Sequence, residues 1–269
     1  MSQSIVSRVF SKAGIFLIFA FMLLPVVMVV WISFFSSSAI MFPPKGYSLQ
    51  WYGKLLEQEN FLNAFLYSIR VSFIAMVISL ALGLLSSIAI TRYEFKGKQL
   101  LQSLFLSPLV VPAIITGIAI YIFMFNLGQI LGINFVPSTW SLILANFVIT
   151  IPWTVRLLTA GLQGVNKSQE EAAIDLGASR FQAFWYVTLP SIRPSLVAAG
   201  IIAFIFSFDS LELSLMLVSP GQSTLPIEIL NYVFWKLDPL IAAVSTVQII
   251  IVGILMVIAD RFVGLSKVF

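Results

Sequence analysis

The run SQEEAAIDLGASRFQAFWYVTLP, residues 168–190, sets Glu170, Glu171, Asp175 and Arg180 in a chain that is otherwise apolar over long stretches. Its polar residues are spaced for helix ends. Ser168 with Glu171 three positions later is a capping-box pattern, in which hydroxyl and carboxylate each satisfy a free N–H of the first turn. Glu170 and Glu171 also fall where the helix dipole favours negative charge. This predicts a short helix over 169–176, with Ala172 and Ala173 leaving one face open to close approach by another backbone. Gly177 stands where a left-handed residue closes such a helix. Ser179 with Gln182 repeats the capping pattern, so a second short helix is expected over 180–189, with Phe181, Phe184, Trp185 and Thr188 along one side and Pro190 ending it. Pro194 suits the first turn of the helix that follows. Two capped helices carrying exposed aromatics fit either a cleft on a soluble protein partner or the headgroup layer of a bilayer.

The surroundings of this run are those of a membrane protein. Of 269 residues, 59% are hydrophobic and 10% charged, against roughly 45–50% and 25% in soluble domains. Six apolar runs, over 13–35, 68–91, 104–127, 138–161, 195–218 and 242–264, are each long enough to cross about 30 Å of hydrocarbon as a helix. The first follows Arg8 and Lys12 as a signal peptide would, but its apolar core exceeds the roughly 7–15 residues of a signal sequence, so it is expected to be retained as a span. With the N-terminus inside, Lys45, Lys54, Arg70 and Lys236 lie outside and the other 11 of the 15 basic residues lie inside, which places both termini in the cytoplasm. Residues 168–190 then form the cytoplasmic loop between the fourth and fifth spans. Outside, the long segment 36–67 carries Trp51 and Tyr52, expected at the interface, and the Pro-punctuated segment 219–241 is expected to hold one helix over 227–235. One integral domain is the simplest organisation. The absence of Cys and His removes thiolate, imidazole and Cys/His metal chemistry, and the net charge of +4 is spread over helix ends rather than gathered for nucleic acid.

The stretch EAAIDLGASRFQAFWYVTLP resembles the EAA loop of bacterial ABC-importer permeases, which reads EAA, three residues, Gly, nine residues, Ile, any residue, Leu-Pro. Glu171-Ala172-Ala173, Gly177, Leu189 and Pro190 match in register, with Val187 in place of the Ile. The TRYEFKGK turn after the second span and LSPLVVPAIITGIAIYIF around the third are similar to permeases of the polyamine, opine and phosphonate branch. The resemblance implies an all-α integral membrane protein of six transmembrane helices with the type I importer permease (MetI-like) fold, in the bacterial inner membrane. Its coupling loop would dock on an ATPase through Glu171, Ala172, Ala173, Gly177, Phe181 and Phe184. It also implies the partners: a second permease subunit, similar or identical, two cytoplasmic ATPase subunits and an extracytoplasmic solute-binding protein.

The nucleotide engine is not expected in this chain. A phosphate-gripping loop reads G-x-x-x-x-G-K-[S/T], and the Gly97-Lys98 pair is followed by Gln99 and preceded by Arg92 at the first glycine position. The chain is therefore read as a transport subunit, not an enzyme, with no cofactor of its own and ATP and Mg held by the partner. Candidate path residues are Asp209 and Glu212 in FSFDSLELSLML, with Tyr121 among the aromatics of the third span. On a continuous helix the two acids share a face opposite Ser207, Ser210 and Ser214, about 20 Å up from Ser195. Intramembrane carboxylates face a wet cavity or an ion partner. They either line a route for a cation such as a polyamine, pair with Arg70 of the second span, or meet another subunit. The competing functional reading is a cation-coupled secondary transporter or channel subunit using the same acids.

Overall fold

In hydrocarbon a backbone must satisfy its own N–H and C=O groups, and a helix does so within one segment. The structure, a computed structural model, describes residues 5–263, with side chains from residue 14 to 262. Arg8, Lys12 and Lys267, used above for orientation, lie outside the described side chains. Among the described residues the only extended pairing is an isolated bridge between Phe35 and Tyr47. The helices are α1 (Ile5–Ile32), α2 (Gln50–Glu57), α3 (Glu59–Arg92), α4 (Lys98–Leu106), α5 (Ala113–Leu131), α6 (Thr139–Gln163), α7 (Lys167–Asp175), α8 (Arg180–Ala183), α9 (Leu189–Ser191), α10 (Arg193–Phe208), α11 (Leu211–Leu217), α12 (Leu225–Trp235) and α13 (Pro239–Val263). Five of them, α1 from Gly14, α3, α5, α6 and α13, are long and apolar enough to cross a bilayer, and the bent pair Arg180–Ser191 and Arg193–Phe208 brings the number to six when counted as one broken span.

Three expectations need correction. The run 104–127 is not one helix: Pro108 and Pro112 interrupt it, so α4 and a 3-10 turn precede α5, whose N-cap is Pro112. The run 195–218 is broken after Phe208 and resumes at Leu211. The outer segment 36–67, read as a loop, is helical over its second half, where α2 and the first turns of α3 lie.

Residues 5–59 and 229–251 form one unit. In it α1 carries no buried residue from Gly14 to Ile32. Trp51, expected at the interface, is instead 4% exposed, and its Nε1 donates to Phe35 O at 2.7 Å. Phe35 meets Trp31 and Phe42 edge-on at 5.6 Å, and Lys54 Nζ lies 4.4 Å above the Trp51 ring. The indole pins the returning chain. Tyr52 bonds Ser33 Oγ at 2.7 Å. At the start of α13, Asp238 accepts from Leu240 N at 3.1 Å and from Tyr232 OH at 2.8 Å.

Residues 60–228 and 252–263 form the other unit. Tyr67, Val71 and Ala75 of α3, Leu142, Ile143 and Ala145 of α6, and Leu213 and Leu217 of α11 make its main apolar cluster. Helix α6 pairs extensively with α10, and α5 with α11. Since lipid is as apolar as leucine, such helices are held by close packing and buried hydroxyls. A Cβ on Gly83 would lie 2.6 Å from Thr154 Oγ1, and Gly161 faces Ser195 with no room for one. Gly117 serves close approach too: a Cβ there would meet Leu213 at 3.2 Å. Ser79 bonds Thr150 at 2.6 Å, Ser87 donates to Val155 O at 3.1 Å, and Ser68 accepts from Leu225 N at 2.8 Å.

Candidate functional site

The loop after α6 is built from cap to cap. Its first helix starts a residue or two earlier than the Ser168–Glu171 pattern predicts. Asn166 is the N-cap, its Oδ1 accepting from Ser168 N at 3.1 Å and Ser168 Oγ at 2.7 Å. Asn and Ser suit an N-cap about equally, and here the Asn166 carboxamide takes up the Ser168 hydroxyl along with its N–H. At the far end Gly177 has φ +98°; its N donates to Ile174 O at 2.8 Å and Ala178 N to Ala173 O at 3.0 Å. That pair of bonds is the Schellman closure, which satisfies the last carbonyls of α7. The second cap is as expected: Gln182 N donates to Ser179 Oγ at 3.2 Å and Ser179 N to Gln182 Oε1 at 2.8 Å.

Beyond this cap the helix does not stop at Pro190. It widens into a π-helical segment over Phe184–Thr188, passes through α9 and turns by 68° at Ile192 into α10. Proline cannot donate to the turn before it and its ring crowds the carbonyl four residues back, so the wider turn absorbs it. Ser191 Oγ donates to Val187 O at 2.6 Å.

The loop is tied down by a residue that sequence spacing does not single out. Glu170 Oε1 accepts from Arg92 Nη2 at 2.5 Å, at the end of α3, and from Thr188 Oγ1 at 2.7 Å. One carboxylate thus joins α3, α7 and the π segment, whose members are 78 and 18 residues away in the chain. In the TRYEFKGK turn the Lys98 ammonium donates to Glu94 Oε1 at 2.7 Å and holds that carboxyl below its ordinary range.

The predicted loop residues separate into two roles. Glu171 and Ala172 are exposed and Ala173 is half-buried. Glu171, Phe181 and Phe184 line one cavity of about 790 Å³, together with Leu84, Ile88 and Ile174. Phe181 and Phe184 both meet Trp185 edge-on, at 6.0 and 5.9 Å. Thr188, expected beside them on an open face, is buried against Glu170. Phe181 is 70% exposed, Leu176 90% and Tyr186 79%, so the loop presents large apolar side chains on both sides of Gly177 in the chain.

In the fifth span, Asp209 and Glu212 do not share a helical face. Asp209 is the C-cap of α10, Ser210 is non-helical with ψ 81°, and Glu212 lies in the first turn of α11. The break still brings both acids to one cavity of about 230 Å³, lined also by Ala113, Ile149, Ile205, Phe206 and Ser210. Ser207, Ser210 and Ser214 are all buried. Trp153 stacks on Phe206 at 5.0 Å. Tyr121 stacks on Phe125 at 6.4 Å on α5 and is not part of that lining. Arg70 lines a separate cavity of about 550 Å³ with Asn60, Asn63, Tyr67, Gln222 and Glu228.

An all-helical chain with a capped loop and a broken, acid-bearing span matches a known group. Residues 79–267 match the family described as the binding-protein-dependent transport system inner membrane component. The chain belongs to that family. It is an inner-membrane, multi-pass permease subunit of the ABC-importer class. Membership decides between the two transport readings in favour of the importer. The permease is 29% identical over 242 residues to the putrescine transport system permease protein PotI of Escherichia coli K12, covering 90% of this chain and 86% of that one. It is 26% identical over 250 residues to the spermidine/putrescine transport system permease protein PotC of the same organism, covering 93% and 92%. Among solved structures, a bacterial ABC transporter involved in import of the acidic polysaccharide alginate superposes with a TM-score of 0.71 at 16% identity, covering 97% of this chain and 99% of that one. At that identity the likeness speaks for the fold alone.

Proposed function

We propose that this permease forms half of the membrane path of an ATP-driven importer for a polyamine-like cation. The carrying observation is the cavity at the break in the fifth span, where two carboxylates face one space whose remaining lining is a hydroxyl and apolar side chains. Charged side chains at this depth are retained for ions or substrates, and paired anions suit a flexible cation with separated ammonium groups. The names of the relatives PotI and PotC support the same substrate class.

The motor is on other chains. The exposed side chains of Leu176, Phe181 and Tyr186, on both sides of Gly177 in the chain, fit a cleft on an ATPase, which holds the ATP and Mg. A second permease subunit completes the path, two ATPases drive it, and an extracytoplasmic binding protein delivers the solute. The termini and the 168–190 loop face the cytoplasm. ATP binding draws the loops together and turns the cavity outward.

The test is uptake by the assembled transporter in liposomes, with labelled putrescine and ATP inside. Asp209→Asn and Glu212→Gln should each raise KM for the dication while binding-protein-stimulated ATP hydrolysis persists. Unchanged uptake in both variants removes the acids from the path. Uptake without ATP removes the motor.

A further inference from the structure

Asp209 and Glu212 reach one cavity across an interruption of the helix between them, and the interruption has an external anchor. Ser210, the non-helical link, donates from Oγ to Asn146 Oδ1 of α6 at 2.7 Å. Both residues are buried, Asn146 at 1% and Ser210 at 6%. The carboxamide is itself fixed, since its Nδ2 donates to Leu142 O one turn back at 3.0 Å. A buried Asn orientated by its own helix is thus bonded to one of the two residues, Asp209 and Ser210, that interrupt the neighbouring span.

The Ser210 hydroxyl has a second acceptor. Ser207 O lies 2.9 Å from the same Oγ. One hydroxyl proton serves one acceptor at a time. When α10 and α6 move apart, Ser210 can turn to Ser207 O within its own helix, and no buried donor is stranded. Ser214 Oγ caps the other side of the joint by donating to Ser210 O at 2.7 Å. Releasing the bond to Asn146 strands no donor, but it leaves the buried Asn146 Oδ1 without that partner, so the bond favours the broken geometry seen here.

We propose that Asn146 is a positioning residue for solute recognition: through Ser210 it holds the break in the fifth span and so sets the spacing of Asp209 and Glu212 across their cavity. The importance of that spacing for the solute rests on the path reading given above; the latch itself does not.

The experiment separates the two. This chain has no cysteine, so Glu212→Cys in the intact transporter reports local geometry through its rate of modification by a charged methanethiosulfonate, read by mass on this chain. Asn146→Leu and Ser210→Ala should each raise that rate by about fivefold, the equivalent of one buried hydrogen bond. The double variant should be no faster than the faster single one, because both remove the same bond. Asn146→Asp keeps an acceptor for Ser210 and should return the rate toward that of the parent. A rate indifferent to Ser210→Ala, or additive effects in the double variant, overturns the latch. If Asn146→Leu does not assemble, Ser210→Ala and Asn146→Asp decide alone.

Uptake is then measured with Asp209 and Glu212 intact. The latch variants should raise KM for putrescine with kcat held, whereas a general loss of stability lowers the amount of active transporter and leaves KM alone. If labelling responds as expected while Asp209→Asn and Glu212→Gln leave uptake untouched, the latch stands and the path reading fails.

Discussion

Replacing Gly177 tests whether the loop works as a rigid elbow. At φ +98° an L side chain is strained, yet a Cβ there meets nothing within 4 Å. The cost is thus conformational: about 1–2 kcal/mol for an ordinary residue in the left-handed region, more for a β-branched one and less for Asn. That energy amounts to a factor of roughly 5–30 in the population of the native elbow. Since the Schellman bonds at Ile174 and Ala173 require this conformation, the end of α7 should fray by the same factor. The assay is uptake per ATP hydrolysed in proteoliposomes for Gly177→Asn, Gly177→Ala and Gly177→Val. The ratio should fall in that order, Val approaching the full factor. Native coupling by the Val variant refutes the elbow argument, and equal damage by Asn and Val shows that backbone strain is not the cause. Gly177→Trp adds a diagnostic: damage well beyond Val means that the side chain obstructs a seated partner.

Glu170→Ala leaves Arg92 and Thr188 without their shared acceptor and should cost about 1–3 kcal/mol locally, read as faster hydrogen exchange in 167–191; Glu170→Gln, which keeps an acceptor for Thr188, should be milder. Gly83→Ala drives a methyl against Thr154 and should destabilise the solubilised protein by about 1–3 kcal/mol, seen as a lower Tm, with Thr154→Ala in the same chain recovering part of it. Trp51→Phe keeps the ring but loses the bond to Phe35 O and should cost about 1–3 kcal/mol, measured as earlier proteolysis within residues 36–58.

What could be read in advance follows the range of each interaction. The long apolar runs announce helices because lipid leaves the backbone no alternative. Gly177 and the Ser179–Gln182 pair are legible because caps act over three or four residues. The same local logic misplaced the first cap by choosing Ser168 over Asn166, since both types suit the position and only the geometry shows Asn166 engaging Ser168. Glu170 was visible as an acid near a helix start, but its ties to Arg92 and Thr188 are long-range and have no spacing signature. The break at Asp209–Ser210 carries no Gly or Pro, so a continuous helix was the natural expectation; Asn146, on another span, supplies the anchor. Trp51 looked like an interfacial aromatic because composition does not reveal that Phe35 O awaits its N–H.

The 68° bend at Ile192 makes a bell-crank of the loop and the fifth span. One arm, Arg180–Ser191, is 12 residues, about 18 Å; the other, α10, is 16 residues, about 24 Å at the same rise. Ile192, 1% exposed among Leu162 and Val165, is the fulcrum. Treated as rigid arms about that pivot, a sideways push on the short one swings the long one, and the end of α10 that carries Asp209 travels slightly farther than the end that is pushed.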